Sequence, residues 1–113
     1  MIDPALDYCY LTTTGRVSGE PREIEIWFGH SGATLYLLAG GRERADWVRN
    51  LMANPAVSVR VGDTTVPGRA RIVDDPVEEA AARELVHGKY ANGPDHMAGW
   101  RDGALPVAID IEA

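Results

Sequence analysis

Polar and apolar positions in this chain alternate with a period of two over short runs, and twice give way to helical spacing. Arg22-Glu23-Ile24-Glu25-Ile26-Trp27-Phe28 alternates strictly. That pattern puts Ile24, Ile26 and Phe28 on one face of a strand and Glu23, Glu25 and Trp27 on the other. Val57-Ser58-Val59-Arg60-Val61 repeats the pattern with its valines inward. Asp7 to Thr13, Thr34 to Ala39, Thr65 to Val73 and Leu105 to Ile111 are rich in β-branched, aromatic and aliphatic residues and predict four further strands. His30-Ser31-Gly32-Ala33 and Gly62-Asp63 read as hairpin turns, and Pro67-Gly68 as a bulge or edge irregularity. Arg42 to Ala53 has helical spacing with Ala45, Val48, Leu51 and Met52 on one face, and Asn54-Pro55 ends it. Asp74-Asp75-Pro76 opens a second helix that runs to about Lys89 or Tyr90, with Ala81, Leu85 and Val86 inward. Ala91 to Gly103 reads as a glycine-rich loop.

The resulting order is β-β-β-α-β-β-α-β, dominated by hairpins. It predicts an α+β, mainly β fold: a split or closed barrel of about six mostly antiparallel strands with two helices. A doubly wound parallel sheet needs a crossover helix after nearly every strand, which this order lacks. One domain spanning residues 1–113 is the expectation from length.

Composition changes little in this picture, and charge changes more. Apolar residues make up 45% and charged residues 25%, as in ordinary globular proteins. A formal charge of −6 argues against a general nucleic-acid binder. Of the basic residues, ten are Arg and only Lys89 is Lys, and Arg suits bidentate recognition of phosphate or carboxylate. Cys9 is the lone cysteine, which excludes an internal disulfide and reads as a small core residue. The three histidines lack ligand spacing, so no metal site is expected. No segment resembles a membrane span or a signal peptide, and a cytoplasmic protein without stable membrane insertion is expected.

The most distinctive stretch is the turn in Leu11-Thr12-Thr13-Thr14-Gly15-Arg16-Val17-Ser18-Gly19-Glu20-Pro21-Arg22. Glycines let backbone amides approach a ligand, hydroxyls can donate, and Arg16 and Arg22 offer planar forks for an anion. The same composition also suits a solvated hairpin turn. A second candidate is Gly40-Gly41 with Arg42 and Arg44. Cations in the first turn of a helix oppose its dipole, so either Glu43 and Asp46 offset them or the segment binds an anion. Trp27 lies opposite the aliphatics and must cover a ligand, a second protomer or a neighbouring element. Trp100 either plugs the core or lids a pocket. No Walker loop, G-x-G-x-x-G, nucleophile elbow or catalytic carboxylate pair is present, so no side chain is assigned a catalytic role and any hard chemistry falls to a cofactor.

Leu11-Thr12-Thr13-Thr14-Gly15-Arg16-x-Ser18-Gly19-x-Pro21-Arg22, then Gly40-Gly41 and Trp47-x-x-Asn50-Leu51-x-Ala53-Asn54-Pro55-x-Val57-x-Val59, resembles the deazaflavin-dependent nitroreductase family over roughly residues 8 to 112. The resemblance implies a split β-barrel of the flavin-reductase-like type that binds the deazaflavin coenzyme F-420. It implies transfer of a hydride to a small electron-poor acceptor: a quinone, a nitroaromatic or an enone. By the same resemblance Arg16, Ser18, Gly19 and Arg22 hold the coenzyme's phosphate and acidic tail, with Val17 standing where the family usually has Lys. Ile26, Trp27, Ala39, Gly40, Gly41, Arg42, Arg44, Trp47 and Asn50 complete the expected cofactor site, and Trp27, Tyr90 and Trp100 are the expected substrate contacts. The Gly40–Trp47 loop is shorter than in typical members, and the chain starts almost at its first strand. The alternatives are an FMN-binding barrel, a non-catalytic binder of an apolar ligand such as a fatty acid, and a structural domain pairing through the Trp27 face. A homodimer is expected.

Overall fold

The computed structural model describes residues 6, 8–89 and 103–112. Seven strands form one antiparallel sheet in the order β2-β1-β5-β6-β7-β4-β3. They are β1 (Tyr8–Thr14), β2 (Pro21–Trp27), β3 (Gly29–Ser31), β4 (Thr34–Ala39), β5 (Ala56–Val61), β6 (Thr64–Ile72) and β7 (Leu105–Ile111), with helices α1 (Asp46–Ala53) and α2 (Pro76–Lys89). The sheet curls into a half-barrel around Cys9, Leu11, Phe28, Leu35, Leu37, Val57, Val59, Val61, Val107 and Ile109. The valines of β5 take the inward places their alternation predicts, and Ile24 and Ile26 of β2 pack against the same core.

The seventh strand is β3, which falls where a turn is predicted at His30-Ser31. It pairs only Gly29 to Ser31 with β4, too short a run for periodicity to register. Gly29 is buried because a Cβ there would lie 3.1 Å from both Leu85 and Val86 of α2. Neither face of β4 is open to solvent. Leu35 and Leu37 enter the barrel, while Tyr36 and Leu38 join Val73, Ala82, Val86, Ala104 and Ala108 beneath α2. This two-sided burial explains a continuous apolar run where alternation would mark a one-sided strand.

Both helices turn a slightly different face inward from the one predicted. In α1, Val48 and Leu51 are buried, but so is Asn50 at 4% exposure; with Asn50 inside, Met52 rotates out to 58% exposure. In α2, Ala82 rather than Ala81 is buried, because half-buried Glu78 takes an inward place. Its carboxylate receives both terminal nitrogens of Arg71 from β6 at 2.7 Å and the Tyr36 hydroxyl at 2.7 Å. Arg71 also donates to Asp110 of β7 at 2.8 Å, and Asp110 accepts from Thr34 at 2.9 Å. This network staples α2 to three strands.

Pro67-Gly68 forms no bulge. Both residues keep regular register with β5, and Pro67 lies one residue beyond the last β6–β7 pair, Gly68 with Ile111. Its carbonyl still accepts from Glu112 N at 3.0 Å, so the ladder there lacks only the donor that proline cannot supply. Gly68 is needed for another reason: a Cβ there would sit 2.6 Å from Ile109 Cγ2.

Candidate functional site

The β1–β2 hairpin turn is a single tight coil. Gly19 N donates to Gly15 O and Gly15 N to Glu20 O, both at 2.8 Å. Gly19 has φ +74°, a conformation glycine adopts without the Cβ clash of other residues. A Cβ on Gly15 would meet Ser18 Oγ at 2.7 Å, so that glycine lets the serine fold back over the turn. Ser18 Oγ then accepts from Glu20 N at 3.2 Å and Arg22 Nη2 at 3.4 Å. The amides of Val17 and Ser18 meet no acceptor among the described residues.

The coil faces the first turn of α1, and Asn50 joins the two. Asn50 Oδ1 accepts from Arg16 N at 3.2 Å and from Arg16 Nη1 at 2.8 Å. Its amide nitrogen donates to Thr13 Oγ1 at 3.3 Å. Thr13, 1% exposed, is the buried hydroxyl at the end of β1. Arg16 Nη2 meets Asp46 Oδ1 at 3.2 Å, and Arg16 Nη1 lies 3.4 Å from the Asp46 carbonyl.

Between coil and helix lies a groove of about 580 Å³ lined by Gly15, Arg16, Val17, Ser18, Arg22, Glu23, Ile24, Asp46, Trp47 and Asn50. The hairpin contributes Arg16, Ser18, Arg22 and Ile24, and α1 contributes Asp46, Trp47 and Asn50. Such a donor set suits a phosphate or carboxylate, and the indole and aliphatic wall suit a flat or apolar portion attached to it. Trp47 is half-buried and also packs against the barrel core, which fixes its ring.

Of the residues singled out in the sequence, the groove brings together Arg16, Val17, Ser18, Arg22, Trp47 and Asn50. Gly19 shapes the coil but borders a smaller hollow lined by Thr12, Thr14 and Ser58 on the outer side of β1. Ile26 packs on the core, and Trp27, at the far end of β2, meets the ring of its cross-strand neighbour Tyr8 at 6.5 Å with a tilt of 43°. Ala39 is buried against Val48 and Leu105, and Gly40 and Gly41 are exposed.

Arg42 and Arg44 do not open the helix. They form a separate 3-10 turn, and α1 begins at Asp46. Arg42, at φ 51°, donates to Gly103 O at 2.8 Å. The dipole conflict read from the sequence is thereby removed, since an acidic residue occupies the first position of α1. Tyr90 and Trp100 lie outside the described residues. The groove adds Gly15, Glu23, Ile24 and Asp46 to the residues expected there. Asp46 and Asn50 are four residues apart in a helix and so share a face; that spacing was the available signal for Asp46.

Among the described residues no cluster of His, Cys, Asp and Glu could hold a metal ion, and no helix is long and apolar enough to cross a membrane.

A family model described as F420H2-dependent quinone reductase matches residues 4–112. Among solved structures, the chain is similar to an F420-H2 dependent reductase at 26% identity, TM-score 0.75, covering 94% of each chain. It is similar to a protein solved as a domain-swapped dimer at 26% identity and TM-score 0.75, covering 99% of this chain and 82% of that one. A FAD-binding protein from Mesorhizobium loti shares the fold at 22% identity and TM-score 0.73, with 97% of this chain and 82% of that one covered.

Proposed function

The chain belongs to the family of F420H2-dependent quinone reductases, and on that premise we propose that it reduces a quinone, or a comparably electron-poor nitroaromatic or enone, in the groove between the first hairpin and α1. It is an oxidoreductase, and its cofactor is coenzyme F-420. The observation that supports the location is one groove lined by Arg16, Ser18 and Arg22 of the hairpin and by Trp47 and Asn50 of α1.

In this reading Arg16 and Arg22 bind the anionic part of the coenzyme, and Ser18 with the Val17 and Ser18 amides adds neutral donors. Trp47 and Ile24 supply the flat apolar wall and exclude water from one side. The reduced coenzyme, when bound, supplies the hydride. No protein nucleophile or acid is required of the groove, which binds and orients. Arg42 and Trp27 stay outside this assignment, because other contacts account for their positions, and Arg44 does not line the groove. A homodimer is part of the proposal, supported by the dimeric neighbour, and light scattering at micromolar concentration tests it.

The test is titration of the protein with oxidised coenzyme F-420, followed through tryptophan fluorescence, with FMN as comparison. Arg16→Ala should raise the dissociation constant by about 1.5–3 kcal/mol, roughly ten- to a hundredfold, if its fork makes a charge-assisted contact. An unchanged constant would remove Arg16 from the site. Quinone turnover by the loaded protein, compared with nitroaromatic and enone turnover, identifies the acceptor class.

A further inference from the structure

The groove that supplies Arg16 also supplies a competitor for it. Asp46 is the first residue of α1, its side chain is 84% exposed, and its Oδ1 lies 3.2 Å from Arg16 Nη2. Asn50 holds the other edge of the same guanidinium through Nη1 at 2.8 Å. The two edges differ in kind. Asn50 is buried and anchored to Thr13, whereas Asp46 can swing into solvent.

We propose that Asp46 is a specificity-determining residue that occupies the place of the ligand's anionic group on Arg16 and must yield it on binding. The proposal rests on the assignment of the groove to the anionic part of the coenzyme. A carboxylate on the free edge of a guanidinium has the same geometry and charge as an incoming phosphate or carboxylate oxygen. Together with Asn50 it holds the Arg16 guanidinium at the groove. It also makes each anionic ligand displace an existing pair. Glu23 lines the same groove, and Glu20 lies 3.8 Å from Arg22, so with Asp46 three carboxylates stand beside the two guanidiniums. A neutral ligand therefore gains little from the arginines, and an anionic one gains only by outcompeting the carboxylate already paired with Arg16. Selection falls on a ligand that presents one compact anion to the Nη2 edge.

The experiment is a double-substitution cycle read by binding of oxidised coenzyme F-420, without turnover. Asp46→Asn removes the charge and keeps the shape. It should tighten binding about two- to fivefold at low ionic strength, the range expected for release of an exposed ion pair. The gain should shrink with added salt. Asp46→Glu, which restores a carboxylate, should return the constant toward that of the parent protein. In an Arg16→Ala background the Asp46→Asn gain should vanish, because no guanidinium remains to be freed. An unchanged or weaker constant for Asp46→Asn overturns the proposal, as does an equal gain with and without Arg16, which would mark general repulsion instead. Arg16→Ala measured alone separates the two readings. If that substitution has no effect, the groove assignment fails. If it weakens binding while Asp46→Asn changes nothing, only the role of Asp46 fails. Melting of each ligand-free variant checks that the exposed substitution leaves the fold intact.

Discussion

Replacing Asn50 by Ala probes the joint between the hairpin turn and α1. Asn50 makes three hydrogen bonds: it accepts from Arg16 N at 3.2 Å and Arg16 Nη1 at 2.8 Å, and donates to Thr13 Oγ1 at 3.3 Å. The two neutral bonds contribute about 1 kcal/mol each. The bond from Nη1 is charge-assisted, but the Arg16 side chain is 32% exposed and water can replace its partner. Its contribution is therefore held to about 0.5–1 kcal/mol. The total loss is roughly 2–3 kcal/mol, which for a domain of this size lowers the melting temperature by about 8–12 °C. Thermal and urea unfolding measure it, and coenzyme binding should weaken in parallel because Arg16 loses its anchored edge. Asn50→Asp is the control. It keeps the acceptor for Arg16 and lets the Thr13 hydroxyl reverse its role and donate, so it should recover more than half of the loss. A melting shift below about 2 °C for Asn50→Ala, corresponding to roughly 0.5 kcal/mol, would show that the joint does not hold the turn. Equal losses in both variants would show that the amide donor and the neutrality of the buried side chain, rather than the acceptor for Arg16, set the cost.

Two further predictions concern the scaffold. Arg71, then the Tyr36 hydroxyl, lowers the Glu78 carboxyl from 4.5 to about 2, and Arg71 likewise lowers Asp110. Carboxyls with depressed folded-state values contribute stability that is complete above their unfolded values and is lost as pH falls through the folded ones. Acid unfolding should therefore steepen between about pH 4.5 and 2, and Glu78→Gln should flatten that limb in a pH series of melting curves. An unaltered acid limb in Glu78→Gln would refute the assignment. Gly68→Ala forces a Cβ to 2.6 Å from Ile109 Cγ2 in mid-sheet and should destabilise by about 1–3 kcal/mol. Pairing it with Ile109→Leu, which moves the branch from Cβ to Cγ and so removes the crowded Cγ2, should restore part of the loss in the same urea titration.

The barrel was legible in the sequence because its strands obey a period of two or run continuously apolar, and because hairpin turns separate them. The Val57–Val61 alternation and the Ile24–Ile26 pair needed only local sterics and one buried face. Short β3 escaped, since three residues cannot display a period. Helix faces were off by one position wherever a polar side chain moved inward to meet a partner from a distant element. Glu78 does this toward Arg71 and Tyr36, and Asn50 toward Thr13 and Arg16. Pattern reading assigns such residues outward because it has no access to the partner.

By itself the sequence determined both helices, every strand of the described sheet except short β3, and the tight glycine-bearing turn with its two arginines, because periodicity and glycine conformation are properties of neighbouring residues. Tertiary structure alone decided which cations line the groove. Arg16, 34 residues from Asn50 in the chain, is aimed into the groove by a partner on α1. Arg42, close to α1 in sequence, is turned toward Gly103. The direction of a long, flexible side chain follows from the donors and acceptors that folding brings within reach, and those come from elements far away along the chain.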